Sequence, residues 1–365
     1  MNSIQSIHGG DLRSLSKRAD CSTDEIIDFS SSINPYGAPF SIKDVVNIHI
    51  EGLSAYPDPY AEQLVEALAK HWGKKNDQVL VANGSNEIFY ACARIPQVKR
   101  IVVFSPSYSS YSRAAAACAK DLLKIELLRD DFGFKLDYKQ LSRSMKEGDL
   151  VYIGSPNNPS GETIEPDKVH HLIQKNPKVL FVIDEAFIDF CGEKHSLIQK
   201  EECNLIISRS FTKFFSIPGI RLGACISNAP LIKEIQKQIP EWSVNHLAQQ
   251  IGLKCIAVDT CVDEMKDNIM TLQKKLKENL LACGCFHVYP SHANYFLCRW
   301  LIDKNKIRII LDALLTKYKI ALRSCENFDS LTIGYVRIAV KSEAENNYLC
   351  DALKKLLCIY ANKKS

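Results

Sequence analysis

The sequence predicts an α/β fold, a mostly parallel sheet flanked by helices and followed by a smaller α+β region. Three observations carry this expectation. Six continuously apolar runs (VLVANG, RIVVFSP, DLVYIGSP, VLFVIDEAF, NLIISRSF and LGACIS) punctuate residues 79–227, as expected of strands buried on both faces. Helical stretches alternate with these runs. Several runs end in polar clusters, Asn83-Gly84-Ser85-Asn86, Ser105-Pro106-Ser107-Tyr108, Ser155-Pro156-Asn157-Asn158 and Asp184-Glu185-Ala186. Open α/β sheets gather their ligands at the carboxyl ends of strands.

Taken in order, residues 1–40 read as an arm carrying turn signals, HGGD and NPYG. Leu64, Leu68 and Trp72 recur at helical spacing and predict a helix from Tyr60 to Trp72. The strand-and-helix alternation then runs to Asn228. Long helical stretches are expected over 230–282, with strands near 286–298, 319–323 and 335–340. The resulting division is an arm (1–40), a large domain (41–235) and a C-terminal small domain (236–365).

The 365 residues are 46% hydrophobic, 24% charged and 9% aromatic, which excludes a disordered or fibrous chain. A net charge of +4 gives no case for nucleic acid or an acidic membrane as partner. Residues 1–20 lack the apolar core of a secretory signal, and no apolar run approaches a membrane helix in length. A cytoplasmic protein is expected. The 14 cysteines are scattered with no C-x-x-C, so they read as small buried hydrophobes in a reducing compartment rather than disulfides or a zinc site. His170 and His171 are neighbours on a helix, point to different faces and make a poor metal clamp.

Chemistry is expected of a few residues. Asp184 ends an apolar run, so its carboxylate needs a cationic partner or takes up a proton. A helix cap or structural ion pair is the ordinary alternative. Lys213 lies in SFTKFFSIPGIRLG, among Phe211, Phe214, Phe215, Ile217 and Ile220. A lysine there either snorkels to the surface or, with its pKa lowered by desolvation, forms a Schiff base with an aldehyde. Ser210 and Thr212 precede it and Arg221 follows. Gly84-Ser85-Asn86 opens a helical stretch whose free N–H groups suit an anion. An aldehyde, a phosphate and a ring nitrogen needing an acid together describe pyridoxal 5′-phosphate.

Ser-x-Thr-Lys followed by Gly-x-Arg-x-Gly, preceded by N-N-P-S-G and D-E-A-F, resembles the fold-type I pyridoxal-phosphate enzymes of the aspartate-aminotransferase superfamily. The resemblance implies that Lys213 holds the cofactor and that Asp184 pairs with its ring nitrogen. Such a pair is worth about 4 kcal/mol at an effective dielectric of about 20. Asn158 is expected at the ring's 3-oxygen, with its neighbour Asn157 on the substrate side, and Tyr108 stacked on the ring. Gly84, Ser85, Asn86, Ser210, Thr212 and Arg221 would surround the phosphate. Tyr56, in AYPDPY, resembles a tyrosine that reaches the cofactor from the other subunit, which implies a homodimer.

Two branches of the superfamily compete. Histidinol-phosphate aminotransferases usually read D-E-A-Y where this chain has Phe187. Threonine-phosphate decarboxylases of cobalamin biosynthesis resemble it in His8-Gly9-Gly10, DFSSSINPYG, DEAFIDF, WSVN, LRSC and VRIAVKS, stretches that lie partly outside the shared cofactor machinery. The second resemblance implies an O-phosphorylated amino acid as substrate. Arg337 would take its carboxylate, and Arg323 and His8 its phosphate, with Ser32 and Asn34 as further candidates. A surface ion pair is the alternative for Arg323. A third reading is an inert protein that keeps the fold; the intact set Asp184, Asn158, Lys213, Arg221 and Arg337 stands against it.

Overall fold

A computed structural model describes residues 9–258 and 261–361. All six apolar runs are strands: β1 (Val79–Ala82), β2 (Arg100–Ser105), β4 (Asp149–Gly154), β5 (Leu180–Asp184), β6 (Leu205–Ser210) and β7 (Gly223–Ile226). A seventh, β3 (Asp121–Glu126), completes a sheet of order β1-β7-β6-β5-β4-β2-β3. β3 escapes the sequence pattern because it is an edge strand, largely exposed along DLLKIE. The pairs from β3 across to β6 are parallel, whereas β7 runs antiparallel to both β6 and β1.

The helix expected from Tyr60 begins at Glu62. Asp58 explains the delay: its carboxylate accepts the Tyr60 N–H at 2.9 Å and the Glu62 N–H at 2.7 Å, holding the chain in a turn until the helix starts. Leu64, Leu68, Ala69 and Trp72 then face the core. The 230–282 stretch divides into helices Ala229–Gln236, His246–Ala257 and Val262–Ala282. The first two are capped by Asn228 and Asn245, whose side chains accept from Leu231 and Ala248 N–H.

The C-terminal strands form an antiparallel sheet of β8 (Phe286–Val288), β9 (Tyr295–Trp300), β11 (Tyr335–Ala339) and β10 (Arg323–Ser324), in that order. It packs on the helices Val262–Ala282, Lys304–Tyr318 and Glu343–Ala361 around a second core that includes Leu276, Phe296, Ile338 and Leu353. The arm holds a helix of its own, Leu12–Ala19, started by Asp11. Further along, Ile27–Asp28 pairs parallel with Ile320–Ala321, Phe29 is fully buried in the second core, and its carbonyl accepts the Ala339 N–H. The arm is therefore tied to the small-sheet side, and farther along its Asn34 N–H donates to the carbonyl of Lys213. Among the described residues no helix is long and apolar enough to cross a membrane.

Successive residues of a strand point to opposite faces, and β5 and β6 use this to separate chemistry from support. Behind the site, Glu185 is fully buried and accepts from Ser196 Oγ at 2.7 Å and Leu197 N–H at 2.9 Å. Arg209 places Nε 2.9 Å from Glu185, Nη1 3.3 Å from Asp189 and Nη2 2.8 Å from Glu193. These carboxylates push the Arg209 pKa up, against burial. Arg209→Met should lower stability by about 3–5 kcal/mol, because Glu185 is left buried without its cation. Urea unfolding of the two proteins measures this; a loss under about 1 kcal/mol would show that the cluster does not brace the strand ends.

Candidate active site

A cavity of about 370 Å³ opens at the carboxyl ends of β2, β4, β5 and β6, between the two sheets and the arm. The large sheet contributes Tyr108, Asn158, Asp184 and Lys213, the small sheet Arg323 and Arg337, and the arm Ser30 and Ser32. A larger space of about 510 Å³ lies behind the lysine segment against Trp72, Phe211 and Phe214. Lys213 does not line that one.

Lys213 sits on the single helical turn Phe211–Phe214 that follows β6. Phe214 is fully buried and anchors the turn. Lys213 Nζ donates to Thr212 Oγ1 at 2.8 Å, and Thr212 Oγ1 lies 2.8 Å from Ser210 Oγ. Burial foremost, then the positive charges of Arg221 and Arg337, lower the Lys213 pKa to about 8, with Asp184 opposing. Its amine is thus much more readily neutral, and nucleophilic, than an ordinary lysine.

Asp184 closes β5 with its carboxylate buried. Burial pushes its pKa up, while hydrogen bonds from Tyr111 Oη at 2.6 Å and Ala186 N–H at 3.1 Å, and the charge of Lys213, pull it down. Gly84 caps the helix Ser85–Arg94 at φ 78°, and Ser85 lines the cavity. A Cβ on Gly84 would stand 2.5 Å from Arg221 Nη2, and one on Gly223 would stand 2.5 Å from Ser85 N. Side chains at either position would fill this cradle of backbone N–H and guanidinium. A readily neutral amine, a buried carboxylate, the Asn158 amide, the Tyr108 ring and an anion cradle are together the set that pyridoxal 5′-phosphate requires. The residues present fit it.

The two arginines of the small sheet are direct cross-strand partners, Arg323 on β10 opposite Arg337 on β11. Like charges so placed repel. Arg337 donates to Asn158 Oδ1 at 2.6 Å and to the Ser30 carbonyl at 2.7 Å, and lies over the Tyr295 ring. Its Nε is buried without a partner, as is Ser32 Oγ. Arg323 donates to the Ser324 carbonyl at 2.6 Å and to Asn327 Oδ1 at 2.8 Å. Burial first, then Arg337, bring its pKa down to about 10. The pair creates a demand for negative charge in the cavity.

Several expected residues stand elsewhere. Asn157 does not line the cavity: its Nδ2 donates to the Pro106 carbonyl at 3.1 Å and to Ser160 Oγ at 2.8 Å, tying down the turn that presents Asn158. Asn34 is likewise internal. Its Nδ2 donates to the Phe214 carbonyl and its N–H to the Lys213 carbonyl, so it braces the lysine segment from behind. Ser210 and Thr212 join the hydroxyl chain under Lys213, and Asn86, in the first turn of its helix, does not line the cavity. Tyr56 is 84% exposed, packs on Trp242 and does not line its own chain's cavity. His8 lies outside the described residues.

Sequence reasoning missed Tyr111, Asp28, Ser30 and Phe328, all of which line the cavity. For Tyr111 a signal existed, since it follows Tyr108 by one helical turn in SYSSYS. Ser30 had none; its role rests on a carbonyl that takes Arg337 and a hydroxyl that donates to Asp28 at 2.5 Å.

The family model for aminotransferases of class I and II matches residues 24–353. Over 96% of its length the chain is 34% identical to an adenosylcobalamin biosynthesis bifunctional protein of Leptospira interrogans, of which it spans only 41%. It is 30% identical to the threonine-phosphate decarboxylase of Salmonella typhimurium, with 97% of each chain covered. Among solved structures, the histidinol-phosphate aminotransferase of Clostridium acetobutylicum superposes with a TM-score of 0.83 at 31% identity, covering 90% of this chain and 98% of that one. With the matching model spanning nearly the whole chain, the protein belongs to the aminotransferase class I and II family.

Proposed function

We propose that the protein is a pyridoxal-phosphate-dependent decarboxylase of an O-phosphorylated amino acid, with L-threonine phosphate as substrate and aminopropanol phosphate as product. The observation that carries this reading is the cross-strand pair Arg323 and Arg337 facing the same cavity as Lys213. A phosphoamino acid brings a carboxylate and a phosphate dianion, which is the charge that pair lacks. The similarity to the Salmonella decarboxylase along nearly the whole of both chains supports the same choice. L-serine phosphate, giving ethanolamine phosphate, differs by one methyl group, a discrimination of about 1–3 kcal/mol.

In this reading Lys213 holds the cofactor, Asp184 keeps its ring nitrogen charged, Asn158 meets its 3-oxygen and Tyr108 covers its face. Ser85 N–H and Arg221 hold its phosphate. When bound, pyridoxal 5′-phosphate supplies the electron sink that stabilises negative charge at the substrate α-carbon. Arg337, fixed by Asn158 and Ser30, orients the substrate carboxylate. Arg323 and Ser32 Oγ take the substrate phosphate. Lys213 Nζ would return a proton to the substrate α-carbon after carbon dioxide leaves.

The apolar residues Ile48, Leu53, Tyr56 and Trp242 are exposed, which supports a homodimer in which Tyr56 serves the neighbouring site. The 14 cysteines carry free thiols, which supports a reducing, cytoplasmic setting. The second reading is a histidinol-phosphate-type aminotransferase, favoured by the likeness to the Clostridium acetobutylicum structure.

Cofactor-loaded protein incubated with L-threonine phosphate, L-serine phosphate, or L-histidinol phosphate plus 2-oxoglutarate separates these readings. Carbon dioxide without glutamate is expected; glutamate without carbon dioxide would make it an aminotransferase. Lys213→Ala should lose the visible absorption of the lysine-bound cofactor together with turnover, and a turnover-competent variant would remove Lys213 from the chemistry. Arg323→Gln should raise KM for the phosphoamino acid by about ten- to a hundredfold, the loss of one charge-assisted contact; an unchanged KM would place the substrate phosphate elsewhere. The Lys213 pKa of about 8 also sets a pH dependence. Below it the neutral amine grows about tenfold per pH unit. Capture of pyridoxal by cofactor-free protein should therefore accelerate up to about pH 8 and level off above it. In Arg221→Gln the levelling point should move up, since one positive charge no longer opposes the ammonium. A flat profile would refute the lowered pKa.

A further inference from the structure

Tyr111 donates to Asp184 Oδ2 at 2.6 Å, and the chemistry described above makes no use of it. The ring is almost fully buried. It stacks on Tyr152 with centroids 5.0 Å apart and planes 4° from parallel, and meets Phe89 and Tyr108 edge-on at 5.2 and 5.6 Å. Aromatic packing therefore fixes where the hydroxyl points. A second, independent feature leads to the same place. Gly154 pairs with Asp184 across β4 and β5, and a Cβ there would lie 3.3 Å from Tyr111 Oη. The missing side chain leaves the room that the hydroxyl uses.

We propose that Tyr111 is a positioning residue for Asp184, orienting its carboxylate and holding it in the charged form, so that it sets how fully the cofactor's ring nitrogen is protonated. This rests on the cofactor assignment proposed above. A carboxylate oxygen has two lone pairs, so one that accepts from Tyr111 can still accept from a ring nitrogen. Burial alone favours the neutral acid, and donors to the carboxylate oppose that preference. Lys213, Tyr111 and Tyr295 are the titratable groups whose charges couple to Asp184. Without the Tyr111 hydroxyl, Asp184 becomes a stronger base and draws the shared proton towards itself. The ring then carries less positive charge, and the cofactor-bound nitrogen of Lys213 becomes easier to protonate.

Tyr111→Phe in the holoenzyme removes the hydroxyl and keeps the ring. Relative to wild type, the pH midpoint of the cofactor's visible absorption change should rise by about half to one unit. kcat should fall about tenfold, the scale of one hydrogen bond to a charged group, with KM within about twofold. Gly154→Ala, which crowds the hydroxyl while retaining it, should move the midpoint the same way by a smaller amount. If Tyr111→Phe fails to fold, Gly154→Ala decides the matter. A wild-type midpoint and kcat in Tyr111→Phe would overturn the proposal. So would a change confined to KM or to Tm, which would assign Tyr111 to packing alone. Wild-type protein that shows no lysine-bound cofactor before any substitution would instead overturn the cofactor assignment, and this inference with it.

Discussion

Two arginines set directly opposite one another on neighbouring strands are the constraint to which the rest of the site answers. Arg323 and Arg337 repel across the ladder, and Arg337 is also buried, which lowers its pKa. Such an arrangement is tolerable only where neutral acceptors hold each guanidinium and an anion arrives to complete it. The acceptors come from separate parts of the chain. Asn158 extends from the large sheet, Ser30 from the arm, and Tyr295 lies beneath from the adjacent strand. Arg337 thus joins three segments that share no secondary structure.

The opposite face of the large sheet answers a different demand. Asp184 and Lys213 are useful because they are partly desolvated, and desolvated ends of strands need support that does not consume their charge. Strand alternation supplies it. Glu185 and Arg209, each one residue along from a residue of the site, turn to the other face and close an ion cluster with Asp189 and Glu193. The charges of the ion cluster and those that line the cavity thus lie on opposite faces of the sheet.

Much of this architecture was legible in the sequence. Strands buried on both faces announce themselves as unbroken apolar runs, and six were found that way; β3 was lost because an edge strand exposes much of its length. Lys213 and Asp184 stood out because charge beside an apolar run needs a reason, whereas Asn158, Arg323 and Arg337 were expected only from the family resemblance; all five line the cavity. Ser30 and Asp28 were not, since a carbonyl acceptor has no signature among side chains and the arm's position is set by a two-residue ladder with Ile320–Ala321. Asn34 and Asn157 misled for a related physical reason. A buried amide beside a site looks the same in sequence whether it faces the ligand or holds the backbone that does. Tyr111 shows the reverse: its periodicity was readable, but its partner Asp184 lies 73 residues away.

One departure from a parallel sheet has a consequence for how such a site can vary. A parallel connection needs a dozen or more residues and crosses the sheet to the far end of the next strand. Because β7 runs antiparallel, with Gly223 beside Ser210, the chain turns back at the edge it has just reached. Lys213 and Arg221 are therefore brought to the same rim by one short connection, with only the helical turn Phe211–Phe214 interposed. The pairing of Gly223 with Ser210 fixes both ends of that connection. Phe214, Phe215 and Ile217 sink this connection into the core of the large sheet, so an insertion there would disturb that core, and the spacing between the lysine and the anion cradle is as resistant to drift as the sheet itself.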